Sequence, residues 1–72
     1  MGKDIENIKF GLRVATLRRE QGFSQEELSL RCDINRTYMG EIERGEKTPS
    51  LSILTKIAKG LNISKKTLLD YE

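Results

Sequence analysis

SQEELSLRCDINRTYMGEIERG, residues 24–45, contains two short helical patterns separated by a tight turn. Ser24 and Glu27 form a capping box, because the serine hydroxyl can accept from the N3 amide while the carboxylate reaches back to the N-cap amide. The helix that follows is predicted over residues 25–32. Its inner face carries an apolar pair four residues apart, Leu28 and Cys32. This spacing indicates a helix with one buried face.

The turn and the next helix complete the unit. Asp33 and Ile34 form the turn, and Asp is among the few residues that tolerate left-handed backbone angles. Asn35 is a good N-cap for a third helix, which ends at Gly45. The residues that point inward are Met39 and Ile42. Because so few residues join the two helices, they must cross steeply, as in a helix-turn-helix whose second helix can enter a major groove.

Three further helices are predicted around this unit. The first covers residues 5–21 and stops at Gly22, which adopts left-handed angles cheaply. Its apolar stripe consists of Ile8, Phe10, Leu12, Val14, Ala15 and Leu17. Ser50 caps a fourth helix. The apolar face of that helix is Leu51, Leu54, Ile57, Ala58 and Leu61. Ser64 caps a short fifth helix, and no segment alternates like a strand. The chain is therefore predicted to be an all-α, compact five-helix domain spanning residues 1–72.

The composition narrows the class of protein. Seventy-two residues suit one domain, and 13 Lys and Arg against 11 Asp and Glu leave a net charge of +2. One Cys and no His exclude an intramolecular disulfide, a usual zinc site and a catalytic Cys–His pair. There is also no glycine-rich phosphate loop, so we expect no enzyme, no cofactor and no metal. No apolar run could span a membrane and residues 1–6 contain no signal peptide, so a cytoplasmic protein is expected.

The outer face at the start of the third helix carries side chains that can recognise bases. They are Asn35, Arg36 and Thr37, with Tyr38 and Glu41 alongside. Arg can fork onto O6 and N7 of guanine, the Thr methyl can contact the thymine methyl, and Glu can accept from N4 of cytosine. Arg44 and Lys47 flank the end of the helix, where contacts with phosphate are expected.

Several segments recur in the order and spacing of a known family. They are Leu17-Arg18, Gly22-Phe23-Ser24-Gln25-Glu26-Glu27-Leu28, Ile42-Glu43-Arg44-Gly45, Thr48-Pro49-Ser50-Leu51 and Ile57-Ala58-Lys59-Gly60-Leu61-Asn62-Ile63-Ser64. Over residues 12–69 the chain resembles the Cro/repressor-type helix-turn-helix proteins of the Xre family, with the helix-turn-helix unit at about residues 25–44. The resemblance implies a lambda-repressor-like DNA-binding domain.

The resemblance also implies roles for single residues. Gln25 matches a residue that contacts phosphate. The positions that face bases are matched by Arg36, Thr37 and Glu41. Arg18 and Glu43 match an ion pair that ties the first helix to the third. Gly40 departs from the pattern, since glycine weakens a helix interior, and it could allow close approach of DNA or a partner.

The string Asn35-Arg36-Thr37-Tyr38 and the short length are similar to controller proteins of restriction–modification systems, which are small dimeric autoregulators. We therefore predict a sequence-specific, homodimeric transcriptional regulator of pseudo-palindromic double-stranded DNA, with RNA polymerase as a candidate partner. An antitoxin-type or phage-type repressor is the alternative within the DNA-binding class. Outside that class, the alternative is a protein-interaction module that has lost DNA binding.

The C-terminal residues supply a candidate dimer interface. Adjacent residues on a helix point about 100° apart, so one core cannot easily bury both Leu68 and Leu69. One of these leucines, together with Tyr71, is expected on an exposed apolar patch. Such a patch usually marks an interaction site. The candidate interface therefore comprises Leu68, Leu69 and Tyr71.

Overall fold

The computed structural model describes residues 4–71. Residues 1–3, half of the N-terminal segment considered for a signal peptide, lie outside the described residues, as does residue 72. The described part contains five helices and no strand: α1 (Ile5–Glu20), α2 (Gln25–Cys32), α3 (Arg36–Glu43), α4 (Leu51–Leu61) and α5 (Lys65–Leu68). The all-α, five-helix prediction is confirmed.

Polar side chains begin every one of these helices. The N-caps, each accepting from a backbone amide of the first turn, are Asp4, Ser24, Asn35, Ser50 and Ser64. The capping box of Ser24 and Glu27 is present, with both reciprocal hydrogen bonds formed. Asp33 ends α2 in the left-handed region at φ 57°, as the turn requires. The helix boundaries thus follow local side-chain chemistry.

One core joins the helices. Its buried members include Phe10, Val14, Leu17, Leu28, Cys32, Ile34, Met39, Ile42, Ile57, Ala58, Leu61 and Leu68. Gly60 packs against Cys32, so the backbones of α4 and α2 approach closely. Gly11 similarly lies against the carbonyls of Ile42 and Glu43, where a Cβ would collide with backbone. These two approaches set α1 against α3 and α2 against α4.

Two residues assigned to inner faces by periodicity lie on the surface. Leu12 is 59% exposed, because the close approach of α1 to α3 occurs at its neighbour Gly11. Leu51 is 79% exposed, because it occupies the first turn of α4, before the part of that helix that reaches the core. The predictions that Leu12 and Leu51 face the core are therefore wrong. Among residues 4–71, no helix is long and apolar enough to cross a membrane.

Candidate nucleic-acid interface

The start of α3 is an exposed helix end held by its own cap. The side-chain oxygen of Asn35 accepts from the amides of Thr37 at 2.7 Å and Tyr38 at 3.3 Å. Asn35, Arg36 and Thr37 are exposed. Asn35 therefore fixes the helix end on which Arg36 and Thr37 are presented.

A depression beside this helix end brings together residues from α2 and α3. It is lined by Gln25, Arg36, Thr37, Gly40 and Arg44. Four of these five are among the residues that the sequence proposed for DNA contact. The other proposed residues, Asn35, Tyr38, Glu41 and Lys47, do not line it. Tyr38 is half-buried and packs against the core, and Lys47 is exposed in the loop after α3.

Glu43 connects this surface to the body of the fold. Its carboxylate accepts from Nε of Arg18 at 2.7 Å and from Nη2 of Arg18 at 3.1 Å. The same carboxylate accepts from Nε2 of Gln25 at 2.9 Å. Arg18 also donates through Nη1 to the carbonyl of Phe23 at 2.8 Å. The expected ion pair between α1 and α3 is confirmed, and Gln25 is a third member that the sequence did not reveal.

Arg44 has a partner that helical periodicity could not indicate. Its Nε donates to Oε2 of Glu46 at 2.9 Å, and its Nη2 donates to Oε1 at 3.2 Å. The hydrogen bond to Glu46, followed by the charge of that carboxylate, raises the pKa of the Arg44 guanidinium. Glu46 lies in the loop after α3, so only the opposite charges at a separation of two residues could have suggested the pair.

The C-terminal end carries a second, separate surface. Leu68 is fully buried, whereas Leu69 is 45% exposed and Tyr71 is half-buried. Leu68 thus belongs to the core and cannot contribute to an exposed patch, which corrects its place in the candidate interface. Tyr71 lines a depression with Lys9, Leu12, Arg13 and Thr16. Burial, followed by the nearby Glu6 charge, raises the pKa of Tyr71.

Arg13 of α1 contacts the C-terminal end of α5. It donates to the carbonyl of Thr67 at 2.8 Å and to that of Leu68 at 3.3 Å. No local sequence pattern indicates these two contacts. The structure shows that Arg13 ties α1 to the end of α5.

Two short helices, α2 and α3, are joined by a tight turn, and a polar and basic helix end is exposed beside that turn. This arrangement defines a helix-turn-helix DNA-binding protein. The helix-turn-helix family HTH_3 matches residues 14–68. The chain belongs to this Xre-type family of DNA-binding transcription regulators.

Relatives of the chain include control proteins. It is 43% identical over 65 residues to the control protein C.BamHI from Bacillus amyloliquefaciens, covering 89% of this chain and 80% of that protein. It is 41% identical over 58 residues to the control protein C.MunI from Mycoplasma sp, covering 79% of this chain and 78% of that protein. The similarity therefore covers 80% and 78% of these two control proteins.

Solved structures show the same fold. The restriction-modification controller protein C.AhdI from Aeromonas hydrophila superposes with a TM-score of 0.89 at 36% identity, covering 92% of this chain and 100% of that one. C.Esp1396I bound to a 25 base pair operator site superposes with a TM-score of 0.86 at 28% identity, covering 94% of this chain and 90% of that one. Within its family, the chain thus resembles the restriction-modification controller type.

Proposed function

We propose that the protein is a sequence-specific regulator that binds operator DNA as a homodimer and controls the expression of restriction–modification genes. The observation that carries this proposal is the depression at the start of α3, where α2 and α3 converge on one exposed polar and basic surface. A relative of the same fold, C.Esp1396I, is bound to an operator in its solved structure. The similarity to controller proteins supports the choice of regulated genes.

Different residues of the DNA-binding surface would contact bases and phosphates. Arg36 and Thr37, exposed in the first turn of α3, would reach base edges in the major groove. Gln25 at the start of α2 and Lys47 after α3 would contact phosphates on either side. The amides of the first turn of α2 favour an anion beside Gln25. Phosphate contacts would then fix the register, and the first turn of α3 would select the sequence.

A homodimer would read two half-sites. A single small helix-turn-helix buries too little DNA surface for tight and selective binding, and a two-fold dimer doubles the contacts on a pseudo-palindrome. Leu69 and Tyr71 follow α5, and Tyr71 lines a depression with residues of α1, not the depression beside α3. The segment that follows α5 would therefore supply the dimer contact.

The test combines a selection from random duplexes with titrations at several salt concentrations. The selected sites should be pseudo-palindromic, with half-sites about one DNA turn apart. The binding constant for random duplex should fall steeply as salt increases, because neutralised phosphates release counterions. A module that has lost DNA binding would show neither enrichment nor salt-dependent binding, and that result would refute the proposal. Enrichment of an asymmetric single site would refute the homodimer.

A further inference from the structure

One row of residues runs along the outer face of α3 and just beyond it. Arg36, Gly40 and Arg44 follow at i, i+4 and i+8, so they lie above one another on the same face. A Cβ added at Gly40 would lie 3.0 Å from Nη1 of Arg44 and 3.7 Å from Oε1 of Gln25. The missing side chain at Gly40 therefore leaves the space through which the Arg44 guanidinium lies back along the helix, into the depression.

Glu46 holds the guanidinium from the other side. The carboxylate takes the Nε and Nη2 hydrogens of Arg44 in a two-point contact at 2.9 and 3.2 Å. This contact occupies one edge of the planar fork. The other edge, which includes Nη1, lies over Gly40. A guanidinium paired along one edge can still donate two parallel hydrogen bonds from the other.

The exposure of this pair decides what it can contribute. The side chain of Arg44 is 55% exposed and that of Glu46 is 37% exposed. Exposed ion pairs add little to folding stability, since water screens them. The Glu46 charge also offsets the Arg44 charge, which weakens the attraction of Arg44 for the DNA backbone in general. The remaining contribution of the Arg44–Glu46 pair is geometric, because the pair fixes the direction in which the Arg44 guanidinium points.

We propose that Arg44 is a specificity-determining residue that recognises a guanine edge in the major groove, and that Glu46 is its positioning residue. This inference rests on the proposed function and assigns a different role to Arg44 from the phosphate contact expected from sequence. O6 and N7 of guanine form a pair of acceptors that matches the fork of Arg. A phosphate offers similar acceptors but no sequence information. A Cβ at Gly40 would force the Arg44 fork to move by a few tenths of an ångström.

The variant Arg44→Lys distinguishes a contact with guanine from a contact with phosphate, because lysine keeps the positive charge but lacks the forked pair of donors. The selection from random duplexes is repeated with this variant, and affinities are measured on the best wild-type site and its single-base changes. We expect discrimination at one guanine of each half-site to fall about tenfold or more. Affinity for random duplex should change less than threefold. An unchanged sequence profile would show that Arg44 contacts phosphate or nothing, and would overturn the inference.

Glu46→Gln tests the positioning role, with Glu20→Gln as the control. Both remove one negative charge from an exposed glutamate, but Glu20 ends α1, whereas Glu46 pairs with Arg44. Both variants should bind random duplex as well as or better than wild type. Only Glu46→Gln should reduce discrimination at the position affected by Arg44→Lys. Equal sequence profiles for the two variants would refute the role of Glu46.

Gly40→Ala provides a third, independent test. The added methyl would lie 3.0 Å from Nη1 of Arg44, so the fork should shift by a few tenths of an ångström and the same guanine preference should weaken, while thermal melting shows a folded protein. Full discrimination in Gly40→Ala would contradict the proposed placement of Arg44. If the wild type shows no salt-dependent DNA binding at all, the proposed function fails first. If it binds and Arg44→Lys retains the full profile, only this inference fails.

Discussion

Asn35 and Arg36 are neighbours in sequence but act differently at the start of α3. The side-chain oxygen of Asn35 is engaged by two backbone amides, so its first task is to hold the helix end. Arg36 is exposed and lines the depression with Thr37. Asn35 therefore has only its side-chain amide hydrogens left for a contact with DNA. Arg36 and Thr37 are therefore the better candidates for base recognition.

Arg36→Ala and Lys47→Ala should weaken DNA binding in different ways. Loss of a forked contact with guanine should cost about 1–3 kcal/mol on the best site and relax the choice at one base pair. Loss of a phosphate contact at Lys47 should weaken binding to the best site and to random duplex about equally. Titrations of both variants on both duplexes measure the difference. Equal losses on the two duplexes for Arg36→Ala would remove this residue from base recognition.

Cys32 makes stability depend on pH in the alkaline range. Burial raises the pKa of its thiol from the ordinary 9.0 to about 11, although the nearby Arg31 charge opposes the shift. Above pH 9.0 the unfolded chain loses this proton before the folded chain does, so folding stability falls as pH rises towards about 11. Below that range the thiol is protonated in both states and has no effect.

The stability difference between wild type and Cys32→Ala measures this contribution. Subtracting the variant removes the titration of lysines and tyrosines, which both proteins share. The advantage of wild type over the variant should shrink by roughly 1 kcal/mol between pH 8 and pH 10. Urea unfolding at a series of pH values gives the two curves. Parallel curves across this range would show that Cys32 is not shielded from water when folded.

At the scale of the helices, capping residues were more informative than hydrophobic periodicity. Ser24, Asn35, Ser50 and Ser64 each mark a helix start correctly, because a cap acts within its own turn. The inner faces depend on neighbouring helices, which single-sequence periodicity does not contain. Leu12 was misassigned for this reason, since only the packed structure shows that α1 meets α3 at Gly11.

The sequence predicts the exposed residues of the candidate site but not the contacts between their side chains. Arg36 and Thr37 follow directly from the capped start of α3, so sequence alone placed them on the exposed helix end. The contacts of Gln25 with Glu43 and of Arg44 with Glu46 depend on side-chain directions. Those directions are set by the crossing of α2 and α3 and by the loop after α3. No local spacing rule encodes them.

The ion pair of Arg18 with Glu43, which joins α1 to α3 and is called the brace below, predicts that one substitution has a large effect on stability. In Glu43→Ala, Arg18 would keep its charge at a site where its side chain is 11% exposed, and Gln25 would lose its acceptor. Removing one partner of a largely buried pair typically costs about 3–5 kcal/mol. Glu20→Ala is the control, because Glu20 is exposed at the end of α1 and its loss should leave the melting temperature nearly unchanged. Similar melting temperatures for Glu43→Ala and wild type would show that α1 and α3 do not depend on the brace.

The dimensions of the molecule support the proposed homodimer. The described residues measure 32 × 25 × 22 Å and present one α3. Successive major grooves on one side of DNA lie about 34 Å apart, so one copy can occupy only one of them. Two copies related by a two-fold axis would place their α3 helices in successive grooves if they meet at a surface distant from α3. The surface around Leu69 and Tyr71 is the candidate.

The double variant Leu69→Glu, Tyr71→Glu should be monomeric, while the wild type is a dimer at tens of micromolar. Leu69 exposes 45% of its surface, so a charge there should be tolerated by the monomer but not by an apolar contact between two copies. Because Tyr71 packs partly against the core, thermal melting must show that the variant is folded. Leu30→Glu is the control, since Leu30 is 77% exposed on α2, outside the proposed interface. Sedimentation equilibrium gives the masses. The proposed interface requires a dimeric Leu30→Glu variant and a monomeric double variant. A folded double variant that still dimerises would place the dimer contact elsewhere. A monomeric wild type would show that there is no dimer contact.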